Sequence, residues 1–250
     1  MPNVAWSFGD RVVAITGSAI GMGEGGVAAF AEAGATVYGL DVDVERGSAV
    51  AERTSTTFVE CDITSSTAVS ETFAAIEAEH GRLDVLINNA GGFWEQNTTE
   101  SLSEEEWDRV IDLNLKAVFL CAQSAIPLLR KSSAGRIINI ASLAGQTAMY
   151  RSSPPYAAAK AAVLSLTRVL AYELAEAGIT SNAISPSAVM TDRIKVVRSE
   201  EERAKTQKTI PLGRYGEVED LVAWMMFLAT EEGGYMTGET INVNGGRFMV

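Results

Sequence analysis

Short runs of β-branched and aliphatic residues alternate along this 250-residue chain with longer stretches rich in Ala, Glu and Leu. The short runs predict strands at Arg11 to Thr16, Thr36 to Asp41, Thr57 to Cys61, Val85 to Asn88, Arg136 to Ile140, Thr180 to Ile184 and Thr240 to Val243. Several are apolar throughout, as strands covered on both faces should be. Between them, Gly23 to Ala33, Ser66 to His80, Ser103 to Arg130, Tyr156 to Ala177 and Glu217 to Ala229 have helical spacing. Ser103-Glu-Glu-Glu106 has the form of a capping box for the longest of these. The alternation marks βαβ units around a parallel sheet. Thr191 to Gly216 breaks the pattern, being charged and mixed, and reads either as a lid over a site or as plain solvated helix.

Composition narrows the picture. With 47% apolar residues, one domain spanning residues 1–250 and burying one sizeable core is expected. A net charge of -12 argues against nucleic-acid or anionic-membrane partners, because phosphate binding needs clustered Lys and Arg. The expected partners are small molecules. Cys61 and Cys121 lie in apolar surroundings and read as reduced core residues. The first ten residues lack a charged segment followed by an apolar one, and no run of about 18 apolar residues occurs, so a soluble cytoplasmic protein is expected. His80 is the sole histidine, which excludes a multi-histidine metal site; it reads as a helix C-terminal residue, and no metal is expected.

Candidate chemistry begins at Thr16-Gly-Ser-Ala-Ile-Gly-Met-Gly23, which follows the first strand and opens the first helix. That is the context of a dinucleotide-binding turn, where glycines let backbone approach a pyrophosphate at the positive helix end. The second strand ends at Asp41, where a carboxylate can accept hydrogen bonds from ribose hydroxyls. It would repel a 2'-phosphate, and no Arg or Lys occurs within Ser18 to Gly26 or Leu40 to Val44, so NAD is preferred over NADP. Asp62, in Cys61-Asp62-Ile63, reads as an adenine contact or as a helix N-cap. Asn88-Asn-Ala-Gly91 ends the fourth strand with small residues that admit a flat ring, and its asparagines tie neighbouring strands together. Cofactor contacts are expected at Gly17, Ile20, Gly21, Met22, Asp41, Asp62, Ile63, Asn89, Ala90 and Gly91. Finally, Tyr156-Ala-Ala-Ala-Lys160 places a phenol and an ammonium on one helix face, after Ser142 at the end of the fifth strand. A phenol with a pKa of about 10 needs roughly 4 kcal/mol of differential stabilisation to ionise near neutrality, and a nearby cation supplies part of it.

With Thr16-Gly-x3-Gly-x-Gly23, Asn88-Asn-Ala-Gly91, Asn114, Ser142 and Tyr156-x3-Lys160 in order, nearly the whole chain resembles the classical short-chain dehydrogenase/reductase family. The resemblance implies a single-domain α/β fold, a Rossmann-type doubly wound seven-stranded parallel sheet with helices on both faces, and commonly a homotetramer. Its helices corresponding to Ser103 to Arg130 and Tyr156 to Ala177 usually pack on another subunit. It also implies roles. Tyr156 is the acid or base, Lys160 lowers its pKa and holds the nicotinamide ribose, Ser142 holds the substrate oxygen, and Asn114 binds a water through its backbone carbonyl. Val189 and Thr191 are expected at the carboxamide. Two departures stand out: Ser187 occupies the place of the family's glycine after the sixth strand, and Gly25-Gly26 sits one turn into the first helix.

Around the expected substrate end lie Phe93, Trp94, Leu143, Met149, Tyr150, Val189 and Met190, with Ser142, Tyr156, Phe93, Trp94 and Met149 as the substrate contacts. An apolar-walled site follows, together with an NAD-dependent oxidoreductase that interconverts a secondary alcohol and a ketone bearing a hydrophobic substituent. Arg151 and Arg193 are the alternative, as contacts for an acidic substrate. A lyase or epimerase without net redox, and a non-catalytic NAD-binding scaffold, are the rival functions.

Overall fold

In the computed structural model, which describes residues 6–148 and 152–249, the predicted alternation becomes one seven-stranded sheet. Its strands are β1 (Val12–Thr16), β2 (Thr36–Asp41), β3 (Thr57–Glu60), β4 (Val85–Asn88), β5 (Arg136–Ile140), β6 (Thr180–Pro186) and β7 (Thr240–Val243). They stand in the order β3-β2-β1-β4-β5-β6-β7, every neighbouring pair parallel. The order reverses between β1 and β4, where a doubly wound Rossmann-type sheet opens a crevice at its carboxyl edge.

Strand residues alternate between two cores although most are apolar. Val12, Ala14, Leu40, Leu86 and Ile137 face one side, against α3 (Ser66–His80), α5 (Ala117–Leu129) and α6 (Pro154–Leu174). Val13, Ile15, Val37, Ile87 and Ile138 face the other, against α1 (Gly21–Glu32), α2 (Val44–Thr54) and α9 (Val218–Ala229). Cys61 and Cys121 are buried free thiols in the first core.

Most boundaries shift by one or two residues, but four differences have a physical cause. The stretch predicted as one helix from Ser103 to Arg130 is α4 (Glu104–Ile111), a π-helical turn Asp112–Lys116, and then α5. Its capping box is half made: Ser103 accepts from the Glu106 amide at 3.1 Å, while Glu106 Oε1 is buried with no partner among the described residues. Helix α6 begins two residues before Tyr156, because Pro154 and Pro155 suit a first turn whose amides need no acceptor. Gly25 turns out to be a packing device: a β-carbon there would collide with Val218 of α9.

The fourth difference is α2, absent from the sequence expectation. Asp43 caps it, accepting from the Arg46 amide at 3.1 Å, but Gly47 in its second turn lowers helix propensity. That glycine is dictated by tertiary packing, since a β-carbon would run into the Phe58 ring of β3. The charged 191–216 segment forms α7 (Asp192–Val197) and α8 (Glu200–Gln207). Its ends are pinned together: the Met190 amide donates to Gly216 at 2.8 Å and the Gly216 amide to Ala188 at 3.0 Å.

Gly47→Ala tests the packing account of α2. The helix-propensity gain of about 1 kcal/mol is expected to be outweighed by overpacking, for a net loss of about 1–2 kcal/mol in urea unfolding, and Phe58→Leu should restore it. A stabilised Gly47→Ala variant would refute it.

Candidate active site

The glycine turn is shaped by close approach. Gly17 and Gly21 have φ of 66° and 62°, a left-handed region costly for other residues. A β-carbon on Gly23 would fall on the Gly17 carbonyl. Asn89 fastens this turn to β4, its side-chain amide donating to the Thr16 and Gly17 carbonyls at 2.9 and 3.1 Å. Thr16 Oγ1 in return accepts from the Asn89 and Ala90 amides, both at 3.0 Å. Helix α1 has no side-chain cap at Ile20, so its first amides are left uncapped at the crevice.

That crevice, of about 1160 Å³, is lined by Gly17, Ile20, Gly21, Met22, Asp41, Asp62, Ile63, Asn89, Ala90, Gly91, Trp94 and Thr191, all of which the sequence placed at the cofactor or substrate. Asp41 is held rigidly, accepting from the Ala19 and Asp43 amides at 3.0 Å each. Asp62 accepts from the Thr64 amide and hydroxyl at 2.9 and 2.7 Å, and Ser65 caps α3 instead, which removes the N-cap alternative for Asp62. Thr191 caps α7 and faces Gly21 across the crevice, 3.4 Å from where a β-carbon would stand.

Among the lining residues that the sequence did not mark are two cations. Arg46, on the unforeseen α2, lies two residues beyond the cation-free stretch Leu40 to Val44, and pairs with Asp43 at 3.4 Å. Arg109 of α4 stacks on Trp94 at 3.5 Å from the ring centroid. Against these two guanidiniums the described lining carries five carboxylates, Asp41, Asp43, Asp62, Asp112 and Asp192. Trp94 is thus part of the cofactor-sized crevice, braced by an arginine.

At the other end the catalytic candidates converge. Lys160 is 2% exposed, donates to the Ile140 carbonyl at 2.7 Å, and lies 5.7 Å from the centroid of the Tyr156 ring. Burial pushes its ammonium down to about 8. A β-carbon on Gly91 would sit 2.6 Å from Asn114 Oδ1 and 3.0 Å from Lys160 Nζ, so glycine lets those two side chains meet the β4 loop. Asn114, at the centre of the π-helical turn and fully buried, clamps that loop: it accepts from the Gly92 amide at 2.9 Å and donates to Gly92 and Val110 carbonyls at 2.7 and 2.8 Å. Phe93 then packs against Tyr156, ring centroids 5.0 Å apart and planes tilted by 55°.

Ser142, two residues past β5, is in extended conformation and accepts from the Ala144 amide at 3.1 Å, starting a 3-10 turn that packs on the Lys160–Ala161 backbone through Gly145. Gln146, unremarked in the sequence, donates to Ser185 at 2.7 Å and Asn242 at 2.6 Å, tying the Ser142 loop to β6 and β7. The Val189 side chain is buried in the second core and does not line the crevice, unlike Thr191, because its strand-like pairing with Gly216 turns it inward. Met149, Tyr150 and Arg151 lie outside the described residues, as does the Arg193 side chain.

Sheet order, glycine turn and the face that sets Tyr156 near the buried Lys160 together define a nucleotide-binding oxidoreductase. Residues 17–247 match the family model described as enoyl-(acyl carrier protein) reductase. The chain is 33% identical over 242 residues to the 3-oxoacyl-(acyl-carrier-protein) reductase FabG of Vibrio harveyi, covering 96% of this chain and 98% of the relative. It is 37% identical over 248 residues to the hydroxy(phenyl)methylsuccinyl-CoA dehydrogenase subunit BbsD of Thauera aromatica, covering 95% and 96%. Among solved structures, the Pseudomonas aeruginosa RhlG/NADP active-site complex superposes with a TM-score of 0.92 at 33% identity, over 97% of this chain and 98% of that one. The chain belongs to the classical short-chain dehydrogenase/reductase family, oxidoreductases that bind a nicotinamide cofactor.

The buried lysine has a thermodynamic signature. Its folded pKa, about 8, lies below the usual lysine value, so between the two the unfolded chain binds more protons and stability rises with pH. Relative to Lys160→Met, the wild type is expected to gain unfolding free energy from pH 8 upward to the unfolded lysine value and to be flat below pH 8. Parallel urea titrations across that range would show a constant difference if Lys160 were not buried and charged.

Proposed function

We propose that this protein is an NAD-dependent oxidoreductase that interconverts a secondary alcohol and a ketone bearing a hydrophobic substituent. The observation that carries it is the meeting of Gly91, Asn114 and Lys160 beneath Tyr156, which puts a buried cation beside a phenol at the carboxyl edge of the sheet. A nicotinamide dinucleotide fits the residues present. The glycine turn is a cradle that a β-carbon would fill, the α1 amides are uncapped toward it, and Asp41 offers a fixed carboxylate. When bound, the cofactor supplies or accepts the hydride. Gly17, Ile20, Gly21, Met22, Asp41, Asp62, Ile63, Asn89, Ala90, Gly91 and Thr191 would hold it, with the Lys160 ammonium at its ribose and Val189 contributing backbone.

The chain's own groups move and hold the proton. Ser142 holds the substrate oxygen and stabilises the negative charge that develops there. Tyr156 gives its phenolic proton to that oxygen in the ketone direction and takes it back in the alcohol direction. Lys160 supports the phenolate by charge, and Asn114 fixes the loop against which both are packed. Phe93 and Trp94 supply apolar wall. The relatives' names bring 3-oxoacyl thioesters within the substrate class.

The acidic lining supports NAD over NADP, even though the RhlG relative was solved with NADP. A 2'-phosphate next to Asp41 would face Asp43 as well, and the lining cation Arg46 already leans on Asp43. Exposed Trp107 and Phe119 on the α4–α5 side and Val169 and Tyr172 on α6 support a homotetramer built on those helices, and the absence of basic clustering fits a cytoplasmic enzyme of small molecules.

Two substitutions test this. Tyr156→Phe is expected to lower kcat by about 10²–10⁴-fold while leaving the NADH dissociation constant nearly unchanged, read by cofactor fluorescence; unchanged turnover would sink the mechanism. Asp41→Ser, which removes the carboxylate that would repel a 2'-phosphate, should lower kcat/KM for NAD by roughly tenfold and raise it for NADP. A wild-type preference for NADP would refute the electrostatic argument.

A further inference from the structure

The 3-10 turn Leu143–Gly145 is closed on itself by backbone bonds: the Gly145 amide donates to Ser142 at 2.9 Å and the Gln146 amide to Leu143 at 3.0 Å. Within it, the Ala144 amide donates to Ser142 Oγ at 3.1 Å. That bond occupies a lone pair of the hydroxyl and leaves its hydrogen to be donated elsewhere. Ser142 donates it to no group among the described residues. The direction in which Ser142 offers its proton is therefore set by where the turn holds Ala144.

The turn is tied at its start, its middle and its end. Before it, the Ala141 amide donates to Ile184 of β6 at 2.9 Å. In the middle, Gly145 lies on the α6 backbone, where a β-carbon would stand 2.6 Å from the Ala161 nitrogen and from the Lys160 carbonyl carbon. After it, Gln146 Nε2 donates to Ser185 Oγ at 2.7 Å and to Asn242 Oδ1 at 2.6 Å. No other side chain from Ser142 to Ala148 hydrogen-bonds outside the turn among the described residues.

The two Gln146 bonds are fitted to the sheet. Ser185 of β6 and Asn242 of β7 are paired in register, so their side chains stand on one face of neighbouring strands, about 5 Å apart. A neutral nitrogen carrying two hydrogens serves two such acceptors at once, and among uncharged side chains only Asn and Gln have one. Ser185 is fully buried, so losing this donor would leave its oxygen without the partner it has. The bridge spans the functional edge: Gln146 follows Ser142 by one short turn, and six residues after Ser185, Thr191 lines the crevice. Neither Ser142 nor Gln146 lines that crevice themselves.

We propose that Gln146 is a positioning residue for the reaction: it anchors the turn to β6 and β7, the turn holds the Ala144 amide, and that amide aims the Ser142 hydroxyl at the substrate oxygen. This rests on the alcohol–ketone chemistry proposed above and adds to it the group that sets the oxyanion donor. A donor of this kind acts only over a narrow range of distance and direction to the oxygen on which charge develops. Loosening the turn therefore weakens the transition state, while the cofactor crevice, to which Gln146 does not contribute, keeps its affinity.

The test is a double-mutant cycle. Gln146→Met, which keeps the length of the side chain and removes both donors, is expected to lower kcat roughly tenfold to hundredfold with the NADH dissociation constant unchanged. In a Ser142→Ala background, where there is no hydroxyl to aim, the same substitution should change kcat by less than about twofold. Asn242→Ala, which removes one acceptor and leaves Gln146 in place, should give a smaller loss that also vanishes in that background, and it decides the matter should Gln146→Met not fold. Losses of equal factor in both backgrounds, as a purely structural tie would give, or unchanged turnover of Gln146→Met, would overturn the proposal. A further readout needs no substrate: exchange of the Ala144 amide proton, followed by NMR, should speed by roughly tenfold or more in Gln146→Met while β5 amides keep their rates. Should the wild type turn over no alcohol or ketone, the redox reading fails on that result and exchange alone decides the positioning. Faster Ala144 exchange supports it, and equal exchange in the two proteins overturns it.

Discussion

An ammonium group with 2% exposure has to find its acceptors inside the protein, and the carboxyl edge of the sheet is built around that requirement at Lys160. The Ile140 carbonyl, at the end of β5, is one acceptor, which fixes the depth of α6 against the sheet. The Gly145 turn packs on the backbone beside Lys160, which fixes Ser142 relative to α6. Gly91 leaves the space through which Lys160 and Asn114 approach the β4 loop. The π-helical turn places the Asn114 side chain inward, where its three bonds to Gly92 and Val110 close that loop. A charge that costs free energy to bury therefore orders the elements carrying the candidate chemistry.

The same logic explains what the sequence made legible. Thr16 to Gly23, Asp41, Asn88 to Gly91 and the Tyr156–Lys160 face are short motifs whose geometry is fixed locally by a turn, a strand end or one helical step. Ser142 and Asn114 were legible only as members of an ordered set, because each is an unremarkable residue by itself. Helix α2 was not legible: Gly47 suppresses its propensity for the sake of Phe58, a residue on another element. With α2 went Arg46. The inward turn of Val189 depends on Gly216, and the Ser187–Arg247 bond joins positions 60 residues apart; no local pattern encodes either.

Charge divides the molecule's functional edge in two. Near the glycine turn, five carboxylates and two arginines line the crevice, and the uncapped amides of α1 supply concentrated positive potential there. Such a field accepts a pyrophosphate at one place and resists further phosphate elsewhere. Near Ser187, Arg247 donates to the Ser187 hydroxyl and pairs with no carboxylate among the described residues. Both regions are joined by the few residues from Ser187 to Thr191, so the loop whose glycine is replaced is also the boundary between the two potentials.

That boundary gives the Ser187 substitution a consequence for movement. A glycine there would leave the loop after β6 free of side-chain ties, whereas Ser187 is bonded to Arg247 on a loop that also grips Leu212. The excursion carrying α7 and α8 is thereby held at its entry, at its Val189–Gly216 base and near its exit. Thr191 and Val196 on that excursion line the crevice, so the same ties hold one wall of the cofactor-sized space. Substitutions at Ser187 and Arg247 would then be coupled rather than additive, because both act through the one bond that ties these loops.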